Sequence, residues 1–239
     1  MLPIHFYQLI ITNWLLQKVD MHVTHSPTRL FNVIAALKAS QPHIDAIEAM
    51  GFGGLIRMPN ISLRKGMIQD IADTYQVSNR GFNLCGQVVT IHPDDVQNIM
   101  ALRITGIDVD EYINKKMKSK DGSRQSELFN RYANDKHKLD LTWLEKMLDK
   151  ERPADDDFKR GFVLFTIGCI LASPTGNDIH WSYIEVVRDV SKIPQFNWGQ
   201  FTLNHLLNSC LSYKNKKERT IKGNLVLLQV SSIWYDQNL

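Results

Sequence analysis

Apolar residues recur at helical rather than strand spacing along most of this chain, and one stretch has no polar side at all. From Phe158 to Ala172, FKRGFVLFTIGCILA, no charge follows Arg160 and apolar residues cover every side of a helical wheel. Such a helix belongs in a protein interior. Asp155, Asp156 and Asp157 stand ahead of it, where negative charge suits the N-terminal end of a helix dipole. Ser173 and Pro174 stop it, since proline cannot continue a helix. Full burial of Phe158, Phe162, Val163, Leu164, Phe165, Ile167, Ile170 and Leu171 stabilises by about 1.5–3 kcal/mol each, less what the unfolded chain already hides. The remaining elements are expected to wrap this rod.

The pattern predicts helices over 2–19 and 28–39. A third is capped by Ser40, carries Pro42 in its first turn and presents Ile44, Ile47 and Met50 on one face. Gly51 fits the left-handed position after that helix, with Phe52 folding back on Ile47. Ser62 caps a helix running to about Tyr75. A hairpin near residues 82–91 follows, turning at Gly86-Gln87 so that Leu84 pairs with Val89 and Phe82 with Ile91. Pro93 opens a helix whose unit ends at Gly106. Thr142 to Glu145 reads as a capping box, residues 178–190 as one helix, and Leu225–Val230 as a last apolar helix. The helix after Asn197 is the best specified: Asn197 caps it, Gln200 holds the reciprocal position, and Phe196 and Phe201 are spaced as a staple. Leu203, Leu206, Leu207, Cys210 and Leu211 form one of its apolar sides, and Trp198, Phe201 and His205 another. The second side admits two readings, packing between neighbours or an aromatic surface for a partner. The fold class is therefore mainly α, a multi-helix globular domain with one small β-hairpin.

Composition changes this picture little. The chain has 239 residues, 44% apolar and 22% charged, with a net charge of +3, which describes an ordinary globular protein and by itself implies neither nucleic acid nor membrane. Cys85, Cys169 and Cys210 are odd in number and widely spaced, which favours reduced thiols inside a cell. Residues 1–17 carry no Lys, Arg, Asp or Glu, but they lack a basic n-region and a small-residue cleavage site, so a packed terminal helix is expected rather than a signal or spanning segment. Residues 115–138 are the most polar part and read as a flexible joint.

Candidate chemistry is sparse. GFGG at 51–54 follows a helix and precedes no GK[ST], which makes it a turn rather than a phosphate loop. Cys85 with His92 has the residue types of a thiol nucleophile and its base, without any sign that the two meet. Asp155–Asp157, Asp178 and Asp189 invite comparison with a two-metal nuclease site, yet the chain has too few strands to hang such acids on a sheet. Two basic clusters raise nucleic-acid binding: Lys115, Lys116, Lys118 and Lys120, and Lys214, Lys216, Lys217 and Arg219. Acidic residues intersperse both, and stacking aromatics are missing.

Taken together, IEAMGFGGL at 47–55, Asp95-Val96 with Ile99 and Leu102, FKRGFVLFTIGCILASPT at 158–175, VRDVSKIPQFNWGQFTLNHLLNS at 187–209 and KGNLVLLQ at 222–229 resemble the plant mobile domain, also called aminotransferase-like. This family is abundant in plant transposable elements and in host proteins derived from them. The resemblance covers roughly residues 44–229. It implies a helical domain without established catalysis, nuclear localisation, a role in transposon silencing or gene-expression control, and a phosphatase-like protein partner. The aminotransferase label is not supported, since a pyridoxal-phosphate enzyme needs a Schiff-base lysine and a phosphate cup that the sequence does not display. No cofactor, metal or membrane partner is expected, and the alternative to a protein-interaction module is a nucleic-acid-binding protein using the two lysine clusters. Departures are Leu102-Arg103 where the family tends to Leu-Pro, and Val230-Ser231-Ser232 inserted before Ile233-Trp234-Tyr235. The expected organisation is a helical extension over 1–40, the domain over 41–229 with its joint at 115–138, and an atypical tail over 230–239.

Overall fold

The apolar rod stands where the pattern puts it. In the computed structural model, which describes residues 27–84, 86–118 and 126–238, every residue from Gly161 to Ser173 is buried. The helix expected over 2–19, Cys85 and Lys120 lie outside the described residues. The described chain is mainly α, with two small antiparallel sheets and one hydrophobic core running from Leu30 to Leu228.

The elements before the rod follow local signals closely. Helices α1 (Thr28–Leu37), α2 (Gln41–Ala49) and α3 (Gly53–Arg57) open the described chain. Within the expected 1–40 extension, α1 is built into the core through Leu30, Ile34 and Leu37. Helix α2 ends as predicted: Gly51 has φ +87°, its N–H donates to the Glu48 carbonyl, and Phe52 N–H donates to the Ile47 carbonyl. Ser40 precedes α2 but bonds the His43 ring at 2.7 Å instead of a backbone N–H. Helix α4 spans Lys65–Asp73 and does not start at Ser62. The cause lies far away in sequence: the Gln229 amide accepts from Arg64 N–H and donates to the Ser62 carbonyl, holding that stretch extended.

Strands β1 (Tyr75–Gln76), β2 (Gly81–Leu84) and β3 (Gln87–Val89) form a sheet in the order β1-β2-β3. The predicted hairpin exists, but Phe82 pairs with Val89 and Leu84 with Gln87, so the turn centres one residue earlier than the spacing suggests. Gly86, φ +88°, takes the second loop position, and its N–H is fixed by the Asn83 side-chain oxygen at 3.0 Å. The inward face is unchanged, with Phe82, Val89 and Ile91 buried. Helix α5 (Pro93–Met100) ends at left-handed Ala101 rather than at Gly106. Helix α6 (Val109–Lys118) runs into the polar stretch 115–138 and α7 (Glu127–Tyr132) lies within it.

Strand β4 (Leu139–Asp140) leads into α8 (Leu141–Met147). The cap of α8 is Asp140, whose carboxylate accepts Trp143 N–H at 2.9 Å, and the predicted box of Thr142 and Glu145 is used otherwise. Glu145 pairs with Arg29 of α1 at 2.5 Å, while Thr142 accepts from Arg29 and Asn177. Helix α9 (Asp156–Thr166) is capped by Asp155 and continues as a π-helical turn, Ile167–Leu171. Inside that turn a Cβ on Gly168 would lie 2.3 Å from Leu141 Cδ2 and 2.6 Å from Ile179 Cγ2, so α8 and the next strand press directly on the backbone. The widened turn presents the Leu171 carbonyl to the buried Thr202 hydroxyl at 2.7 Å.

The single helix predicted over 178–190 is broken. Asp178–Ile179 form β5, antiparallel to β4, then come a 3₁₀ turn (Trp181–Tyr183), α10 (Ile184–Val187) and a second 3₁₀ turn (Val190–Gln195). The His180 ring and the Asp189 carboxylate each accept a backbone N–H two residues on, so each caps the start of a 3₁₀ turn. Helix α11 (Trp198–Lys214) and helix α12 (Leu225–Asn238) complete the fold. No helix among the described residues is long and apolar enough to cross a membrane.

Candidate functional site

The start of α11 is held by a set of hydrogen bonds to residues 103–107. Asn197 accepts Gln200 N–H through its side-chain oxygen, donates its amide to the Ile104 carbonyl at 2.8 Å and donates its main-chain N–H to Ile107. Gly199 N–H reaches the Arg103 carbonyl at 2.8 Å, and the Arg103 guanidinium reaches back to Pro194. Residues 103–107 are thus strapped across the helix end, and a Cβ on Gly199 would sit 2.7 Å from Ile104. The Gln200 side chain, predicted to complete a reciprocal cap, bonds Asn204 instead.

Trp198 and Phe201 are 1% and 2% exposed, so of the two readings of this side, packing between neighbours holds for both residues, and they are not a partner surface. Trp198 donates its indole N–H to the Ile193 carbonyl and stacks against Phe52, Phe196 and Phe201. The physical reason is that α11 is packed among several neighbours, α4, α5, α6 and the π-helical turn. His205 alone reaches solvent, with its Nε2 3.7 Å from Asp110 and 3.5 Å from the Tyr183 hydroxyl. Burial, and then the Asp110 charge, push the Tyr183 hydroxyl well above its ordinary pKa.

The acids read as possible metal ligands are used structurally. Asp155 caps α9, Asp178 pairs with Lys138, and Asp189 pairs with Lys192. Asp157 accepts the Tyr132 hydroxyl and pairs with Arg131 and Arg160; burial alone would raise its pKa, but those three partners outweigh it and hold the carboxyl below its ordinary value. Among the described residues no group of three or more His, Cys, Asp or Glu could hold a metal ion. His92 is exposed at the start of α5, while its supposed thiol partner Cys85 lies outside the described residues. Cys169 and Cys210 are buried, and burial pushes both thiols up to about 12.

The two lysine clusters differ. Lys115, Lys116 and Lys118 occupy the last turn of α6, with Lys116 over the Tyr112 ring at 5.8 Å. Lys214, at the end of α11, donates to the Asp73 carbonyl at 2.6 Å. Together with Thr74, Tyr75, Gln76, Val77, Ser78, Asn83 and Gly86 it lines a groove of about 730 Å³ beside the β1-β2 sheet. Gln76 and Asn83 escape sequence reasoning because only the register of a three-stranded sheet places them beside Lys214. A further missed feature is Trp143, 39% exposed on α8.

The stretches that carry the family resemblance coincide with these buried hubs. Gly54 lets α3 touch the Met100 carbonyl, Asn224 donates to Thr202 and caps α12 by accepting Leu227 N–H, and Gln229 clamps residues 62–64. A family model described as Domain of unknown function (DUF8566) matches residues 23–229, starting before the expected boundary at 41. Among curated proteins the chain is similar to Protein MAIN-LIKE 2 of Arabidopsis thaliana, 25% identical over 83% of this chain and 31% of that protein. It is also similar to Protein MAIN-LIKE 1, 23% identical over 83% of this chain and 41% of that protein. The third relative is the Serine/threonine-protein phosphatase 7 long form homolog, 24% identical over 75% of this chain and 14% of that protein. The chain therefore spans less than half the length of each of these relatives. No solved structure matches. With most of its length matched by one family model and these relatives beside it, the chain belongs to the DUF8566 family and is a plant mobile domain protein.

Proposed function

We propose that this chain is a non-catalytic protein-interaction module of transposable-element origin, working in the nucleus in transposon silencing or gene-expression control alongside a phosphatase-like partner. The observation that carries the reading is how its signature polar residues are employed. Asn197, Asn224 and Gln229 bond caps and carbonyls inside the fold, whereas a large aromatic, Trp143, stands exposed on α8. Exposed tryptophans are favoured anchors in protein interfaces. The varied lengths of the relatives support a portable unit, and one relative's name, a phosphatase 7 homolog, supports the partner class.

The test is calorimetric titration of the purified chain with a recombinant phosphatase of the phosphatase 7 type. Saturable binding is expected, weakened about tenfold or more by Trp143→Ala, as for an interface anchor. Absence of binding at ~100 μM, where a Kd of 1 mM still gives a measurable bound fraction, overturns the partner assignment.

A further inference from the structure

We infer that the groove between the β1-β2 sheet and the end of α11 binds the phosphodiester backbone of a nucleic-acid strand. The first argument is the chemistry of its wall. The Gln76 side-chain oxygen accepts from Asn79 and the Asn83 oxygen accepts from Gly86 N–H, so each oxygen already holds one bond within the protein. Their amide N–H₂ groups stand in the groove wall beside the Lys214 ammonium and the Ser78 hydroxyl. A wall rich in free donors suits the oxygens of phosphate.

The second argument is the charge that leads away from the groove. The acidic residue within the basic run, Glu218, is neutralised by Lys222 at 2.6 Å. Lys216, Lys217 and Arg219 are exposed and form no ion pair among the described residues. The Asp73 carboxylate, next to the groove, accepts the Tyr213 hydroxyl at 2.7 Å. Lys214 at the end of α11 and Lys216, Lys217 and Arg219 just after it thus concentrate exposed positive charge next to the groove, which suits a polyanion. The aromatic among the lining residues, Tyr75, is 1% exposed and offers no ring face for a base to stack on, so recognition is of the backbone and independent of sequence. This inference does not depend on the protein-partner reading.

The experiment is fluorescence anisotropy of the purified 239-residue chain with a labelled oligothymidylate, repeated over a salt series. Four cations on a single strand predict a slope of log K against log salt of about −3. Lys214→Ala and Asn83→Asp should each weaken binding about tenfold, the loss of one charge-assisted hydrogen bond. Asn83→Asp keeps the oxygen that holds Gly86, so the turn stays formed; Asn114→Asp on α6 adds the same charge elsewhere and should change little. Binding should survive Lys115→Ala, Lys116→Ala and Lys118→Ala combined. No binding at low salt overturns the inference. So does equal weakening by Asn114→Asp or by the α6 triple variant, or competition by a polyglutamate peptide of matched charge as effective as the oligonucleotide itself.

Discussion

Gly54 offers the sharpest test of the packing. A Cβ built there would lie 2.0 Å from the Met100 carbonyl oxygen and 2.8 Å from Ala101 Cβ, so in Gly54→Ala the carbonyl must retreat roughly 1.4 Å to reach ordinary contact at 3.4 Å. Little lets it move. Met100 is fully buried, its sulfur accepts from Asn224, and Ala101 is already held in a left-handed conformation, φ 51°, with its N–H on the Gln97 carbonyl. Overpacking costs about 1–3 kcal/mol where side chains can yield, and here the obstacle is backbone, so the loss should reach about 3 kcal/mol or more. At this chain length that corresponds to a fall in Tm of roughly 6–12 °C. Gly66 is the control: it lies in α4 with nothing within 4 Å of a Cβ, and Gly66→Ala should stabilise by about 0.5–1 kcal/mol. Urea denaturation followed by circular dichroism reads both. A Gly54→Ala protein within about 0.5 kcal/mol of the parent, the range of an ordinary surface substitution, refutes the close approach of α3 to α5.

Other consequences are equally direct. Glu185 is fully buried and held bidentate by Arg188 at 2.8 and 2.6 Å. Arg188→Ala strands that carboxylate and should cost about 3 kcal/mol or more, whereas Glu185→Gln removes the charge with its partner still in reach and should cost clearly less; the reverse order in urea melts contradicts the pairing. Asp157 titrates below its ordinary value when folded, so its contribution is present at neutral pH and is lost as pH falls below about 4, through the folded pKa. The group is partly exposed, which limits the contribution to about 1 kcal/mol, and Asp157→Asn should flatten the acid limb of stability against pH by that much. Iodoacetamide labelling read by peptide mass should leave Cys169 and Cys210 unmodified in the native protein and modify both in urea, because burial holds each thiol protonated; native-state labelling at the rate of an unfolded peptide contradicts their burial.

What the sequence discloses and what it hides divides along the reach of the interactions. The ending of α2 at Gly51, the Asn197 cap and the enclosure of residues 161–173 depend on neighbours a few positions away or on a pattern apolar all round, and each is legible. The failures have distant causes. Thr142 and Glu145 have the spacing of a capping box, yet Arg29 and Asn177 claim them and leave Asp140 to cap α8. Residues 178–190 have helical periodicity, yet Asp178 and Ile179 are drawn into pairing with Leu139 and Asp140. Ser62 is a good cap in isolation, but Gln229 holds its carbonyl. A Trp–x–x–Phe spacing likewise cannot report what covers it, and here Phe52, Phe196 and Tyr183 do.

The same division explains why family membership is readable here while a site is not. The stretches that identify a plant mobile domain are those where backbone and polar side chains meet across the core: Gly54 against Met100, Gly199 against Arg103, Asn224 on Thr202, Trp198 on Ile193. Such residues specify one arrangement of helices because no other type fits, and that constraint is a property of the fold rather than of any reaction. Candidate binding groups lie elsewhere, on a short sheet and a basic connection. In this chain the candidate binding groups are therefore Gln76, Asn83, Trp143 and the run from Lys214 to Arg219, none of which lies in the stretches that carry the resemblance.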